Sequence, residues 1–260
     1  MRISAISMPL LALVAGAAGF FARLIELATA FDKFTGLAQR GDATTYALIA
    51  ISGALLLVVL FFSIYAARKY KTMPGFDNAF GTDTLIYPVI FVIIGIAWLV
   101  STVIGFFGLE PVEVFKQVDL YFLILSALAA ISVALFAVDI YEDPLRRMKV
   151  VLSIVPALFM CFWLIMIYRQ NAANPVLLSY AYHCLAIIAS ALGFYFTSGF
   201  VYNKPAPGKA IFSYLAAVYF CFVTLADPHA PGMKIVFIAL IATNAVHASM
   251  LIRNLKWRET

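Results

Sequence analysis

Pro175 to Tyr202 reads PVLLSYAYHCLAIIASALGFYFTSGFVY. It contains no Asp, Glu, Lys or Arg and places a histidine, His183, well inside an apolar segment. A bilayer core about 30 Å thick needs roughly 20 apolar residues at about 1.5 Å each, and this stretch supplies them. With no water in hydrocarbon, a spanning backbone must satisfy its own hydrogen bonds, which leaves helices or a closed barrel. A barrel needs polar and apolar residues in strict alternation, and none is present. The stretch reads as a transmembrane helix.

The same plan repeats in both directions. Apolar runs at about residues 3–22, 46–65, 85–107, 120–140, 150–168, 175–202, 210–226 and 233–252 predict eight spans. The 260-residue chain is 64% hydrophobic and 12% charged, with a mean hydropathy of +0.98. A soluble domain is about 25% charged. The fold class expected is therefore all-α, a polytopic transmembrane helical bundle forming a single domain over residues 1–260. The longest connections, about 66–84 and 32–45, are too short to be domains, so no extramembrane domain is expected.

Charge fixes the expected orientation. Arg2, Arg68, Lys69, Lys71, Arg146, Arg147, Lys149, Lys204, Lys209, Arg253, Lys256 and Arg258 fall on one side of the eight spans, 12 of the 18 basic residues. Arg23, Lys33, Arg40, Lys116, Arg169 and Lys234 fall on the other. The positive-inside rule then places both termini in the cytoplasm, and an even number of spans agrees. Met1 to Ala22 also has the charged start, apolar run and small residues of a signal peptide; its removal would leave seven spans, and the uncleaved anchor is the reading taken. The net charge of +5 is explained by span ends meeting anionic headgroups, so nucleic acid is not expected as a partner. The expected location is the cell (plasma) membrane, as a multi-pass protein.

Few side chains in the spans carry chemistry. Arg23 and Glu26 stand three apart near the outer end of the first span and read as an interfacial ion pair with stems in lipid. None of the 13 carboxylates falls in the middle of a span, which weakens ion-coupled transport, because a titratable group must line the path. In span six, Tyr180, His183, Ser190 and Thr197 share one face, and a polar stripe turns toward protein or water. Span eight adds Thr243, Asn244 and His247. The two histidines differ in depth by roughly 10 Å at helical rise, too much for one bis-histidine haem. His229, between Pro228 and Ala230, is expected to be solvated. Cys161, His183, Cys184 and Cys221 lie at similar depth and nominally make four zinc ligands. They contain no CxxC pair or other local chelate, so no metal is assigned. Free cysteine in a span is a small buried hydrophobe.

Small residues at Ala12, Ala15, Gly16 and Gly19, and at Ser126, Ala130 and Ala134, mark faces where backbones approach closely. No nucleophile elbow, Walker loop, HExxH or dinucleotide fingerprint occurs, so no catalytic residue is assigned and no cofactor is evident. A chain that is nearly all membrane points to a permease-like protein or transport-complex subunit handling a small or amphipathic molecule. Its ligand-binding candidates are Tyr180, His183, Ser190, Thr224, Asn244 and His247. The alternative is a non-transporting sensor or assembly subunit. Expected partners are membrane lipids and a protein bound through small-residue faces or basic loops.

Overall fold

The computed structural model describes residues 2–32, 37–39, 41–71, 75–82, 84–107, 117–141, 148–174 and 176–257. Met1, Lys33, Arg40, Pro74, Lys116, Arg146, Arg147, Pro175 and Arg258 lie outside them.

Among the described residues, eight helices are long and apolar enough to cross a membrane. They belong to α1 (Arg2–Thr29), α2 (Ala43–Lys69), α4 (Ile86–Phe107), α5 (Gln117–Tyr141), α6 (Met148–Gln170), α7 (Ala181–Val201), α8 (Pro207–Thr224) and α9 (Pro231–Asn254). A one-turn helix, α3 (Phe76–Phe80), follows α2. The helix starts have local causes. Asp42 caps α2 by accepting from the Thr44 backbone N–H at 2.8 Å. Prolines in the first turn open α8 and α9, where a missing donor costs nothing.

Two expected boundaries move by six residues or more. The first span ends not at Ala22 but at Thr29, so Arg23 and Glu26 lie within the helix. The sixth begins at Ala181, after a 3-10 turn over Leu177–Ser179. Asn174 and Ser179 divert the backbone there: the Asn174 carbonyl oxygen accepts from Val176 N–H at 3.0 Å, and the Ser179 hydroxyl donates to Val176 O at 2.7 Å. Side chains that bond nearby backbone groups compete with the helical ladder.

α8 is the hub. It packs against α1, α2, α7 and α9, while α4 packs on α5 and α9, and α6 bridges α5 and α7. The small-residue faces are where these contacts form. A Cβ added at Gly16 would meet Phe222 at 2.8 Å, and one at Gly19 would meet Val223 at 2.7 Å. One added at Gly95 would lie 2.5 Å from Ala134 and 3.0 Å from the Ala130 carbonyl, so α4 and α5 touch nearly backbone to backbone. Pro156 lies inside α6; three residues before it, the Ser153 carbonyl accepts from the Ser198 hydroxyl of α7 at 2.9 Å, which ties the proline-bearing part of α6 to α7.

On the basic side, β1 (Tyr70–Lys71) pairs antiparallel with β2 (Lys256–Trp257). Asn254 donates to the carbonyls of Ala79 and Gly81 at 2.9 and 3.1 Å. The end of α9 is thereby tied to the segment after α2, and the C-terminal strand lies on the side of the 70–85 connection. The ends of α1, α6 and α8 lie on the opposite side.

Candidate functional site

That opposite side holds the charged core of the protein. The C-terminal turns of α1 present Arg23 and Glu26 on one face. At the end of α8 the chain tightens, Asp227 N–H donating to Thr224 O at 3.0 Å, and this turn directs Asp227 back at α1. The Arg23 guanidinium donates through Nε to Asp227 Oδ1 at 2.8 Å and through Nη1 to Glu26 Oε2 at 2.7 Å. Its Nη2 donates to the carbonyls of Leu178 and Ser179 at 3.2 and 3.5 Å, in the turn before α7. The rings of Tyr182 and Phe31 stand 5.1 and 5.7 Å from the guanidinium carbon, within cation–π range.

Arg23 and Glu26 are both 0% exposed and Asp227 is 3% exposed. The pair read from the sequence as interfacial is therefore enclosed in protein, with no stem reaching lipid. The reason is the continuation of α1 past Ala22, which carries both residues beneath the 225–230 loop. Asp227 was not singled out in the sequence. Its 204-residue separation from Arg23 leaves no local pattern to detect. The nearest hint is that Asp227 and His229 are the only polar side chains in a short connection of Ala, Pro and Leu.

Beside this cluster two imidazoles meet. The rings of His183 and His229 are 4.7 Å apart, and each lies 5.3 Å from Phe237. His183 also contacts Trp163 at 5.6 Å. His229 is half-buried rather than solvated as expected, because the loop folds inward behind Asp227. Burial, with Lys234 and Arg23 adding their charge, holds its imidazole down at about 4. Burial pushes the Asp227 carboxyl the other way, above its usual range, against the pull of Arg23.

A cavity of about 220 Å³ lies between α4, α5, α6 and α9 on the same side. Phe122, Trp163 and Met166 form apolar walls, and Ser101, Thr102 and Ser126 supply hydroxyls. Those hydroxyls are already ordered. Trp98 Nε1 donates to Ser126 Oγ at 3.1 Å, Ser126 and Thr102 share a bond at 3.0 Å, and Ser101 donates to Trp98 O at 2.6 Å. Trp163 joins the two regions, one wall of the cavity and a neighbour of His183.

The remaining candidates fall elsewhere. Ser190 donates to Ala186 O at 2.8 Å and sits 3.7 Å from Cys221 Sγ. Thr197 bonds the Tyr214 hydroxyl at 2.7 Å. Asn244 donates to Leu240 O at 2.8 Å, and Thr224 is buried at the end of α8. Tyr180 is half-buried where α7 begins. His247 lies within a cage of Phe80, Phe91, Phe136, Phe194 and Tyr214, at 5.0 to 6.5 Å. His183 is thus grouped with His229, not with His247, and the α7 stripe is packed between helices and does not line the cavity. Cys161 is exposed, Cys184 half-buried and Cys221 buried. Among the described residues no three His, Cys, Asp or Glu side chains are grouped to hold a metal ion.

No family model, curated protein or solved structure matches this chain.

Proposed function

We propose that the protein is a multi-pass integral membrane protein of the plasma membrane, permease-like or a subunit of a transport complex, with both termini cytoplasmic. It binds a small, uncharged amphipathic molecule in the cavity between α4, α5, α6 and α9. The observation that supports this reading is the cavity's lining: aromatic and aliphatic walls, three hydroxyls on one side and, among the described residues, no ionisable side chain. A charged ligand would find no counter-charge among those residues, and a buried charge without a partner is costly. An apolar cavity of about 150 Å³ accommodates benzene, so about 220 Å³ suits a ligand of roughly nine non-hydrogen atoms with one or two hydrogen-bonding groups.

The test is native mass spectrometry of the protein purified in mild detergent, with Ser126→Leu as the cavity-filling variant. A bound small molecule on the wild type, lost in the variant while the helical content is kept, supports the reading. Equal retention of the molecule by both proteins defeats it. The topology is tested separately by cysteine labelling at Asp42→Cys and Lys71→Cys, which should react from opposite sides of a sealed vesicle.

A second reading, a non-transporting sensor or assembly subunit, is favoured by one observation. The polar side chains of α7 and α9 that would mark a path across the bundle (Ser190, Thr197, Thr243 and Asn244) are 0–1% exposed and packed against neighbouring helices.

A further inference from the structure

We infer that the Arg23–Glu26–Asp227 cluster is a proton-binding site, in which the Asp227 carboxyl takes up one exchangeable proton that the guanidinium alone leaves unmatched. This stands independently of the cavity and its ligand.

The argument starts from counting charge. One guanidinium faces two carboxyl groups, and both carboxyls are almost wholly enclosed: Glu26 at 0% and Asp227 at 3% exposure. With both ionised the cluster would hold one uncompensated negative charge out of water, an arrangement proteins relieve by neutralising a group. The hydrogen bonds show the same shortfall. Arg23 satisfies one oxygen of each carboxyl, while Glu26 Oε1 and Asp227 Oδ2 are buried with no hydrogen-bond partner among the described residues. A proton from water, forming an O–H bond at Asp227 Oδ2, brings the cluster to zero net charge and leaves the Arg23 bond to Oδ1 in place.

Among the described residues, the groups around the cluster do not supply that charge. Arg23 and Glu26 come from α1, and Tyr182, whose ring lies over Arg23, from α7. Tyr219 of α8 bonds the Ser52 hydroxyl at 2.8 Å. His183 meets the rings of His229 and Trp163. His229, held down at about 4 by burial, Lys234 and Arg23, is neutral near pH 7. The upward displacement of Asp227 by burial runs in the direction required. Asp227 rather than Glu26 is the acceptor because it lies in the loop after α8 and keeps 3% exposure where Glu26, inside α1, has none.

Infrared spectroscopy of the full chain in liposomes reads the proton directly. With aspartate labelled by carbon-13 at its side-chain carboxyl, the wild type at neutral pH should show a protonated-carboxyl band that shifts with the label and disappears on alkaline titration. Asp227→Asn and Glu26→Gln each leave one carboxylate facing one guanidinium. Each should abolish the band and melt within about 3 °C of the wild type, whereas the double variant, with Arg23 unmatched, should melt at least about 8 °C lower. Absence of the labelled band from the wild type would overturn the inference. So would either single variant melting as low as the double. A melting point at neutral pH that rises with Na⁺ in place of choline in the wild type, but not in Asp227→Asn, would replace the proton by a metal cation and equally overturn it.

Discussion

α2 and α8 lie side by side and follow opposite rules. α2 is the most apolar of the eight helices long and apolar enough to cross a membrane, with a mean hydropathy of 2.8, yet only 28% of it is buried; α8 is the least apolar, at 1.3, and 72% of it is buried. Ile49, Leu57, Phe61 and Tyr65 of α2 face outward, whereas Ser213, Tyr214, Tyr219 and Thr224 of α8 are enclosed. In water the apolar helix would be the inner one. In hydrocarbon, lipid tails satisfy leucine as well as another helix does, so association rests on close packing and hydrogen bonds between helices. The contact between α2 and α8 illustrates it, through the Ser52–Tyr219 hydroxyl pair at 2.8 Å and through Gly208, whose added Cβ would lie 2.9 Å from the Ser63 carbonyl.

The contrast predicts that sensitivity to substitution follows α8 and its partners, not apolarity. The largest effect should come from Arg23→Ala, which leaves Glu26 and Asp227 facing each other without a cation. Losing one member of a buried ionic group costs about 3–5 kcal/mol, measurable as a large drop in thermal or detergent-induced unfolding stability. An intact melting curve would show the α8 end to be as forgiving as the α2 face. Next is Gly19→Leu, which drives a side chain into Val223 and Tyr219 and should cost about 1–3 kcal/mol by overpacking; Gly53→Leu on α2, where an added Cβ meets nothing within 4 Å, is the matched control.

The third prediction concerns pH. His229 has its imidazole lowered to about 4 from 6.5, so between those values the unfolded chain binds the proton that the folded chain refuses. Its contribution is complete above pH 6.5 and is lost as the pH falls toward 4, on the order of 2 kcal/mol after solvent screening of a half-buried group. Asp227 has the opposite sign. Its raised value means the folded chain keeps a proton the unfolded chain releases, so its contribution is present below 3.8 and is lost as pH rises through the folded value. Between pH 6.5 and 4 the two contributions oppose each other, and across a pH series the melting point of His229→Gln should drop less on acidification than that of the wild type. The smallest effect is at α2: Phe61→Ala, at a position 71% exposed, should change stability by about 0.5 kcal/mol or less in lipid.

The eight helices were legible because run length and hydropathy report on the capacity of a helix to cross a bilayer. Their ends were less so. Arg23 and Glu26 look like the edge of the membrane when read along the chain, and only the fold shows that another loop covers them. Likewise Pro175 to Tyr180 reads as part of an apolar run, but Leu177–Ser179 form a 3-10 turn held by Asn174 and Ser179. The small-residue faces were readable as close approaches, at Gly16, Gly19, Ala130 and Ala134, though not which helix each would meet. The polar stripe of α7 was visible, and its buried positions follow from the cost of placing hydroxyls in lipid. Asp227 was not recoverable, since the partner of Arg23 lies at the far end of the sequence. The cavity was equally hidden, because Ser101, Ser126, Trp163 and Val236 come from four helices and share no spacing.

The hub helix is the seventh of the eight long apolar helices to be made. On a ribosome, α1 and α2 leave the exit tunnel long before the segment whose side chains fill their grooves at Gly16, Gly19 and Ser52. Meanwhile Arg23 and Glu26 must wait for the aspartate that completes their group. The nascent chain therefore passes most of its synthesis with its first hairpin undocked, and a chain halted before Pro207 should be a substrate for membrane quality control whatever the quality of its first six spans.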